Sequence, residues 1–340
     1  MAVTLAQIAE KTGVSINTVS RVLRGDSRLS DATIERVKQV ATELGYVPNY
    51  AASSMRSHNS HVIGVISADS SNPFFAEVIL GIEETARQNG YHILLMNTEE
   101  KALNECEAIK ILQGRQVDGI ISIPLYDNEE TRKMYEELDI PYIFAGRKVR
   151  GLENHSILHR DMESSQEIVE YLLNEGHEKI LYISGPDEIS NSVDRLNGFL
   201  KAFAKAGKPI DKDLIVKTNG HIDDGYAGVN SILKKQKEFT AVVCFNDLVA
   251  MGALKSLYEN NLSVPQEVEV VGCDNLGISQ YMQPRLTTLD VPKYKLGKET
   301  VLEVIRHIKD GNLAYETKNL DTRLIFREST KNRPIIHDFK

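Results

Sequence analysis

From Val62 onward, short apolar runs alternate with helical stretches. No other feature so constrains what this 340-residue chain can fold into. The first runs are Val62–Ser67, His92–Asn97, Gly119–Pro124 and Tyr142–Ala145. A second set follows at Ile180–Ser184, Leu214–Val216, Ala241–Phe245 and Glu269–Asp274. Strands separated by helices pair in parallel, and a parallel sheet is covered by helices on both faces. Two such sets predict two similar α/β lobes. Thr287–Val291 and Thr322–Phe326 read as extended crossings or edge strands.

Before Val62 the pattern is all helical. Leu5, Ile8 and Ala9 share one face at i, i+3, i+4, and Thr4 with Gln7 makes a capping box. Thr12-Gly13-Val14 is a short turn. Ser15 and Thr18 open a second helix whose inner face is Val19, Val22 and Leu23. After the loop Arg24–Arg28, Ser30 caps a third helix with Ile34, Val37, Ala41 and Leu44 inside, and Gly45 ends it. Two short helices joined by a Gly turn are the helix-turn-helix plan. The outward side chains of the second helix then meet base edges: Arg21 can pair with guanine, Asn17 with adenine, Ile16 with a thymine methyl, beside Ser20. Thr4, Ser15, Thr18 and Ser27 suit phosphate contacts. The competing reading is a solvated face on an ordinary small helical domain. Residues 45–61 read as a linker holding one short helix, Ala51–Arg56, that Asn49 can cap.

Charge distribution fits the first reading. The chain carries a net −8, yet residues 1–60 hold seven basic side chains against five acidic ones, so that end is +2 and the rest −10. A mildly basic end on an acidic body is expected where only that end meets phosphate. No stretch approaches the ~20 apolar residues of a membrane span. The N-terminus has no basic and apolar leader pattern, so a cytoplasmic protein is expected. Cys106, Cys244 and Cys273 are scattered without a C-x-x-C pair and read as buried free thiols; no metal or cofactor is expected.

The run Thr4-Leu5, Ile8-Ala9, Gly13-Val14-Ser15, Thr18-Val19-Ser20-Arg21-Val22-Leu23, with Leu44-Gly45-Tyr46 and Pro48-Asn49, resembles the headpiece of the LacI/GalR family of bacterial repressors. Later pieces follow in family order: Ser71-Asn72-Pro73-Phe74-Phe75, Gln116 to Ile121, Arg195-x-x-Gly198-Phe199, Asn246-Asp247-x-x-Ala250-x-Gly252-Ala253 and Pro284-x-Leu286-Thr287-Thr288. The resemblance implies an α/β protein: an all-α helix-turn-helix headpiece (1–46), a hinge helix and linker (47–61), and a two-lobed, Rossmann-like effector domain similar to periplasmic sugar-binding proteins. The lobes would comprise 62–161 with 293–321, and 162–292 with 322–330, joined by crossings near Asp161, Val291 and Thr322, with 331–340 as a tail. It also implies a hinge that wedges the minor groove, with Ala52, Met55 and Arg56 there and Met55 where the family usually has leucine.

Ligands of open α/β sheets bind beyond the carboxyl ends of the strands. That places Asp69, Asn72, Phe74 and Phe75 after the first strand, Arg147 after the fourth, and Asn191 and Arg195, Asn246 and Asp274 after strands of the second lobe. Aromatic faces with Asp, Asn and Arg suit a sugar-like effector, and the arginines would also accept a sugar acid or phosphate. The resemblance favours Phe74, Arg147, Asp161, Arg195, Asn246 and Asp274. Bland readings stand beside these: Phe74 as core, Asp161 orienting the crossing, Asp247 capping a helix, and both arginines in structural ion pairs.

The reading is a homodimeric repressor of a carbohydrate-utilisation operon, bound to a pseudo-palindromic operator and controlled by a small effector. A transport-type sugar receptor would carry a leader instead of a headpiece. A catabolite regulator with a phosphoprotein corepressor would place a basic residue where Val47 stands. An enzyme is not expected, since no nucleophile elbow, P-loop, zinc-helix or dinucleotide motif occurs and His177 and His221 lack a nucleophile partner. The tail Lys331–Lys340 shows no heptads, so a dimer and not a tetramer is expected.

Overall fold

The computed structural model describes residues 3–23, 25–26, 28–47, 59–126, 129–311 and 314–331. The expectations for Ser27, Ala52, Met55 and Arg56, for the short helix they imply and for most of the tail lie outside those residues. The chain divides into two compact units, Met1–Ser60 and His61–Lys340.

Three helices build the first unit: α1 Leu5–Thr12, α2 Ile16–Leu23 and α3 Asp31–Glu43. The capping box forms: Gln7 N donates to Thr4 Oγ1, and Thr4 N donates to Gln7 Oε1 at 2.8 Å. Gly13 stops α1 with a left-handed φ of 70°, which a side chain would resist. Thr18 N donates to Ser15 Oγ at 3.1 Å and starts α2. Ser30 sits at the N-cap of α3, but its hydroxyl pairs with Thr33 Oγ1 rather than with a backbone N–H, a departure from the expected cap. The apolar stripes meet in a small core of Ile8, Ala9, Val19, Val22, Val37 and Ala41.

The second unit holds two six-stranded sheets. In the first sheet run β1 Val62–Ser67, β2 His92–Asn97, β3 Gly119–Ser122, β4 Tyr142–Ala145, β5 Ser156–His159 and β11 Lys318–Leu320, ordered β11-β5-β4-β3-β1-β2 and all parallel. In the second run β6 Ile180–Ile183, β7 Ile215–Val216, β8 Ala241–Cys244, β9 Glu269–Asp274, β10 Thr287–Asp290 and β12 Arg323–Ile325, ordered β12-β10-β9-β8-β6-β7. Only β12 is antiparallel, at the edge.

Helices cover each sheet on both faces. The first is flanked by α4 Pro73–Gln88, α5 Ala102–Gly114, α6 Glu129–Glu136 and α11 Lys293–Asp310. The second is flanked by α7 Asp161–Asn174, α8 Ser190–Ala206, α9 Ile222–Lys234 and α10 Asp247–Glu259. Successive strand residues feed opposite cores: Ile143 faces α4 and α11, while Phe144 faces α5 and α6. Two motif glycines are explained by close helix crossings. A Cβ on Gly198 would lie 2.2 Å from Met162 O of α7, and one on Gly252 would lie 1.9 Å from Ile222 O of α9.

The chain passes between the sheets after His159, after Asp290 and after Leu320. Two of these passages are tied together where Ser164 Oγ meets Thr322 Oγ1 at 2.5 Å. Strands β5 and β11 escape the sequence pattern: Ser156-Ile157-Leu158-His159 has only two apolar residues, and Lys318-Asn319-Leu320 has one. Cys244 and Cys273 are buried free thiols as expected, whereas Cys106 is half-exposed on α5. No helix among the described residues is long and apolar enough to cross a membrane. Nor do the described residues hold a cluster of three or more His, Cys, Asp or Glu placed to bind a metal.

Candidate nucleic-acid interface and ligand cleft

In the first unit, α2 keeps Val19 and Val22 inside and turns Ile16 and Asn17 to solvent, with Ile16 53 % exposed. Ser20 and Arg21 are half-exposed along the same helix, and Thr4, Ser15 and Thr18 stand at the helix starts. Arg21 holds one feature that its sequence position did not reveal. Its Nε donates to Asp26 Oδ2 at 2.9 Å, so the tether grips the side of the guanidinium. Asp26 is gripped in turn by Arg28, through Nε at 2.9 Å, Nη2 at 2.8 Å and the backbone N at 3.1 Å. Those hydrogen bonds, Arg28 first, hold the Asp26 carboxyl far below its usual range. A side-on tether of this kind fixes a guanidinium while leaving its forked edge for a base.

In the second unit a narrow cleft of about 40 Å³ lies between the two sheets' helices and loops. That is room for two or three waters, well short of a typical ligand pocket of about 300 Å³ or more. Asn72, Phe74, Phe75, Arg147, Asn191, Arg195, Asn246 and Asp274 line it, so the carboxyl-end rule brings these residues together. Asp69 and Asp161 do not line it. Asp69 spends Oδ1 on Ser71 N and Oγ, as a turn residue does. Asp161 is buried beneath Arg195.

Arg195 organises the floor. Nε donates to Asp161 Oδ1 at 2.6 Å, Nη1 donates to Phe245 O at 2.5 Å, and Nη2 lies 3.8 Å from Asp274 Oδ1. Asp161 also meets His159 Nε2 at 3.2 Å. Burial opposes ionisation of Asp161, but His159 and Arg195 outweigh it and hold the carboxyl below its ordinary value. Asp274 has weaker company; burial dominates and pushes it up to about 7. Its backbone is strained, with φ 117°, and its carbonyl accepts from Lys293 Nζ at 2.6 Å. Strain of this kind persists where the surroundings over-determine it.

Other positions are set by capping. Asn72 Oδ1 accepts from Phe74 N at 3.0 Å at the start of α4. Asn246 Oδ1 accepts from Val249 N at 2.8 Å and caps α10, and its Nδ2 donates to Gly220 O. The cap expected of Asp247 is therefore made by Asn246. Asp247 is buried instead, accepting from Leu276 N, Ser279 Oγ and Thr288 Oγ1, and burial raises it to about 6. Phe74 is half-buried and packs on the cores of both sheets, combining its core and cleft readings.

Sequence reasoning missed Glu100, Ile189, Asn219, Gly220, His221 and Phe245 on the cleft wall. The signal is in the sequence: Glu100 follows β2 and Asn219 to His221 follow β7, both at strand carboxyl ends. His221 is no isolated structural histidine, because its Nε2 meets Glu100 Oε2 at 3.2 Å across the cleft. A second strap crosses beside it, where Lys148 N donates to Ser190 Oγ at 3.0 Å and Lys148 Nζ to Asp194 Oδ2 at 2.6 Å. His177, by contrast, is structural, held by Thr240 and Glu269.

A helix-turn-helix unit joined in one chain to a two-sheet cleft defines a DNA-binding regulator that responds to a small molecule. Known proteins agree. Residues 4–49 match the family described as bacterial regulatory proteins, lacI family. Residues 60–339 match the periplasmic binding proteins and sugar binding domain of LacI family. The chain is 31 % identical over 329 residues to the HTH-type transcriptional repressor PurR of Vibrio parahaemolyticus, covering 96 % of this chain and 98 % of that one. It is 30 % identical over 337 residues to the repressor CytR of Escherichia coli, covering 98 % of each. The structure of the lac repressor dimer bound to operator and the anti-inducer ONPF superposes with a TM-score of 0.89 at 27 % identity, over 97 % of this chain and 99 % of that one. The chain belongs to the LacI family: it is a transcriptional repressor governed by a small effector, and not an enzyme.

Proposed function

We propose that the protein represses a carbohydrate-utilisation operon in the cytoplasm, binding a pseudo-palindromic operator as a homodimer under control of a small hydroxylated effector. The observation that carries the effector site is the cleft wall itself. Arg195, Asp161 and Asp274 form a buried polar floor, and Lys148–Ser190 and Glu100–His221 strap the two walls together. With space for only a few waters, the cleft must widen to admit a sugar ring, and those straps must then break and reform. Effector binding is thereby coupled to the relation between lobes 62–161 with 293–321 and 162–292 with 322–330.

Asn17 and Arg21 read bases, with Ile16 and Ser20 beside them, and Thr4, Ser15, Thr18 and Ser27 take phosphates. Met55, flanked by Ala52 and Arg56, wedges the minor groove. Dimerisation is supported by an apolar face on the second lobe. Tyr258 and Tyr281 are 78 % and 80 % exposed, and Met251, Leu254, Ile278 and Met282 line the same surface groove. Aromatic and methionine side chains gathered in the open mark an interface.

Gel shifts of the full chain on its own promoter region test the reading. Binding should weaken with salt and prefer a two-fold symmetric site. Equal affinity for random DNA would overturn it. A sugar panel followed by melting temperature tests the cleft, since a ligand of the folded state raises it. The corepressor alternative gains nothing here, because Val47 supplies no charge at the position in question.

A further inference from the structure

We infer that the effector is an anion, and that Arg147 is the residue that reads its charge. This rests on the cleft being the effector site and specifies what the cleft takes.

The charged groups of the cleft are committed with one exception. Glu100 pairs with His221 at 3.2 Å. Arg195 is spent on Asp161 and the Phe245 carbonyl, with Asp274 beyond. Arg147 is 6 % exposed, yet among the described residues its one hydrogen bond is from Nη1 to Pro124 O at 3.0 Å. Its guanidinium lies over the Phe75 ring at 5.5 Å. Among the described residues no carboxylate comes within ion-pair distance of it. The carboxylates that act on its charge are each held by other partners: Glu100 by His221, Glu105 by Tyr135 OH and Leu125 N, and Asp161 by Arg195. Burial brings Arg147 down to about 10, so it stays charged at neutral pH.

A buried guanidinium without a counter-ion is costly, and a hydroxyl answers its donors but not its charge. A carboxylate or phosphate answers both, in the forked geometry that arginine favours. The neighbouring backbone has the same preference. Lys148 N bonds Ser190 Oγ, so the wall carrying Arg147 meets the start of α8. That helix has no side-chain cap, and its positive end faces the same cavity through Ile189 and Asn191. Asn191 Oδ1 is buried without a partner and suits a ligand hydroxyl. Asp274 and Glu100, on the two facing walls, disfavour a second negative group. The ligand that fits is small and hydroxylated, with one acidic group.

The test uses the full chain and its Arg147→Met variant. Melting temperatures are followed with glucose, glucuronate and glucose 6-phosphate, and with sulfate against chloride at fixed ionic strength. Sulfate stabilises proteins generally, so only the difference between wild type and variant counts. The expected result is a larger gain for wild type than for Arg147→Met with sulfate and with at least one anionic sugar. Affinity for that sugar should fall at least about 30-fold in the variant, the scale of a broken buried charge contact. The glucuronate and phosphate arms tell a carboxylate from a phosphoryl group. Equal gains in wild type and variant with every anion would overturn the inference. If a neutral sugar then stabilises the chain and Asp274→Asn abolishes that effect, the cleft reading stands while the anion reading falls. If neither substitution alters any probe's effect, both fall.

Discussion

Arg21 and Arg195 each lean on an aspartate, and the contrast between them separates the two working regions of the molecule. Arg21 is half-exposed, with its side chain 41 % accessible, and Asp26 aligns it without burying it. Arg195 is 6 % accessible on its side chain, and Asp161 is buried with it. On α2, charge is kept in water and merely pointed, so that a DNA partner supplies the desolvation. In the cleft, charge is desolvated before any ligand arrives, and the floor is preorganised at the expense of folding stability. The first region can change its reading residues at little structural cost. The second cannot change Arg195 without disturbing Asp161, His159, Asp274 and Phe245.

The largest effect should come from Asp161→Ala. It strands a buried guanidinium, and urea unfolding of the second unit should register a loss of about 3–5 kcal/mol. A loss below about 1 kcal/mol would mean that Arg195 finds water or another partner and that the floor is open to solvent. On the headpiece, Arg21→Ala should weaken operator binding by about 1–3 kcal/mol, with relaxed preference at one base position. Asp26→Ala should reproduce part of this, roughly threefold to tenfold, by letting Arg21 wander. Neither headpiece change should move the unfolding midpoint of the second unit. If Asp26→Ala leaves operator affinity intact, the tether is incidental.

The last effect is one of pH. Asp274 is raised to about 7 in the fold, so the folded state holds a proton that the unfolded chain has released. The stability this contributes is complete below about pH 4 and drains as pH rises through 7. Asp161 runs the other way: its lowered carboxyl contributes above the unfolded value and loses its contribution in acid. The stability of wild type relative to Asp274→Asn should therefore fall between about pH 4 and pH 7, read from paired denaturant curves. A flat difference would place Asp274 in a wetter setting than the cleft geometry implies.

Much of this was legible beforehand because it depends on local chemistry. The Thr4–Gln7 box, the left-handed Gly13 turn, the Ser15 cap and the inward Val19 and Val22 need only neighbours within one helical turn. The strand alternation and the carboxyl-end rule likewise pointed to Phe74, Arg147, Asn191 and Asn246. What escaped was partnership. Glu100 and His221 lie 121 positions apart in the chain and pair only because two lobes face each other. Asp69 looked like Asp274 in sequence, yet one serves a turn and the other the cleft floor. Strands β5 and β11 carry too few apolar residues to announce themselves and are held by register with β4 and with each other.

The sequence alone determined the family, the helix-turn-helix and the two α/β lobes. Helix periods, caps and strand alternation are short-range, and repeated motifs in order leave few folds open. Only the tertiary structure decided which charges in the cleft are spent and which is not. A guanidinium's role depends on the distance to its nearest carboxylate and on the water removed around it. Arg147 and Arg195 are equivalent as letters in the chain; folding pairs Arg195 with Asp161 and leaves Arg147 without an ion pair among the described residues.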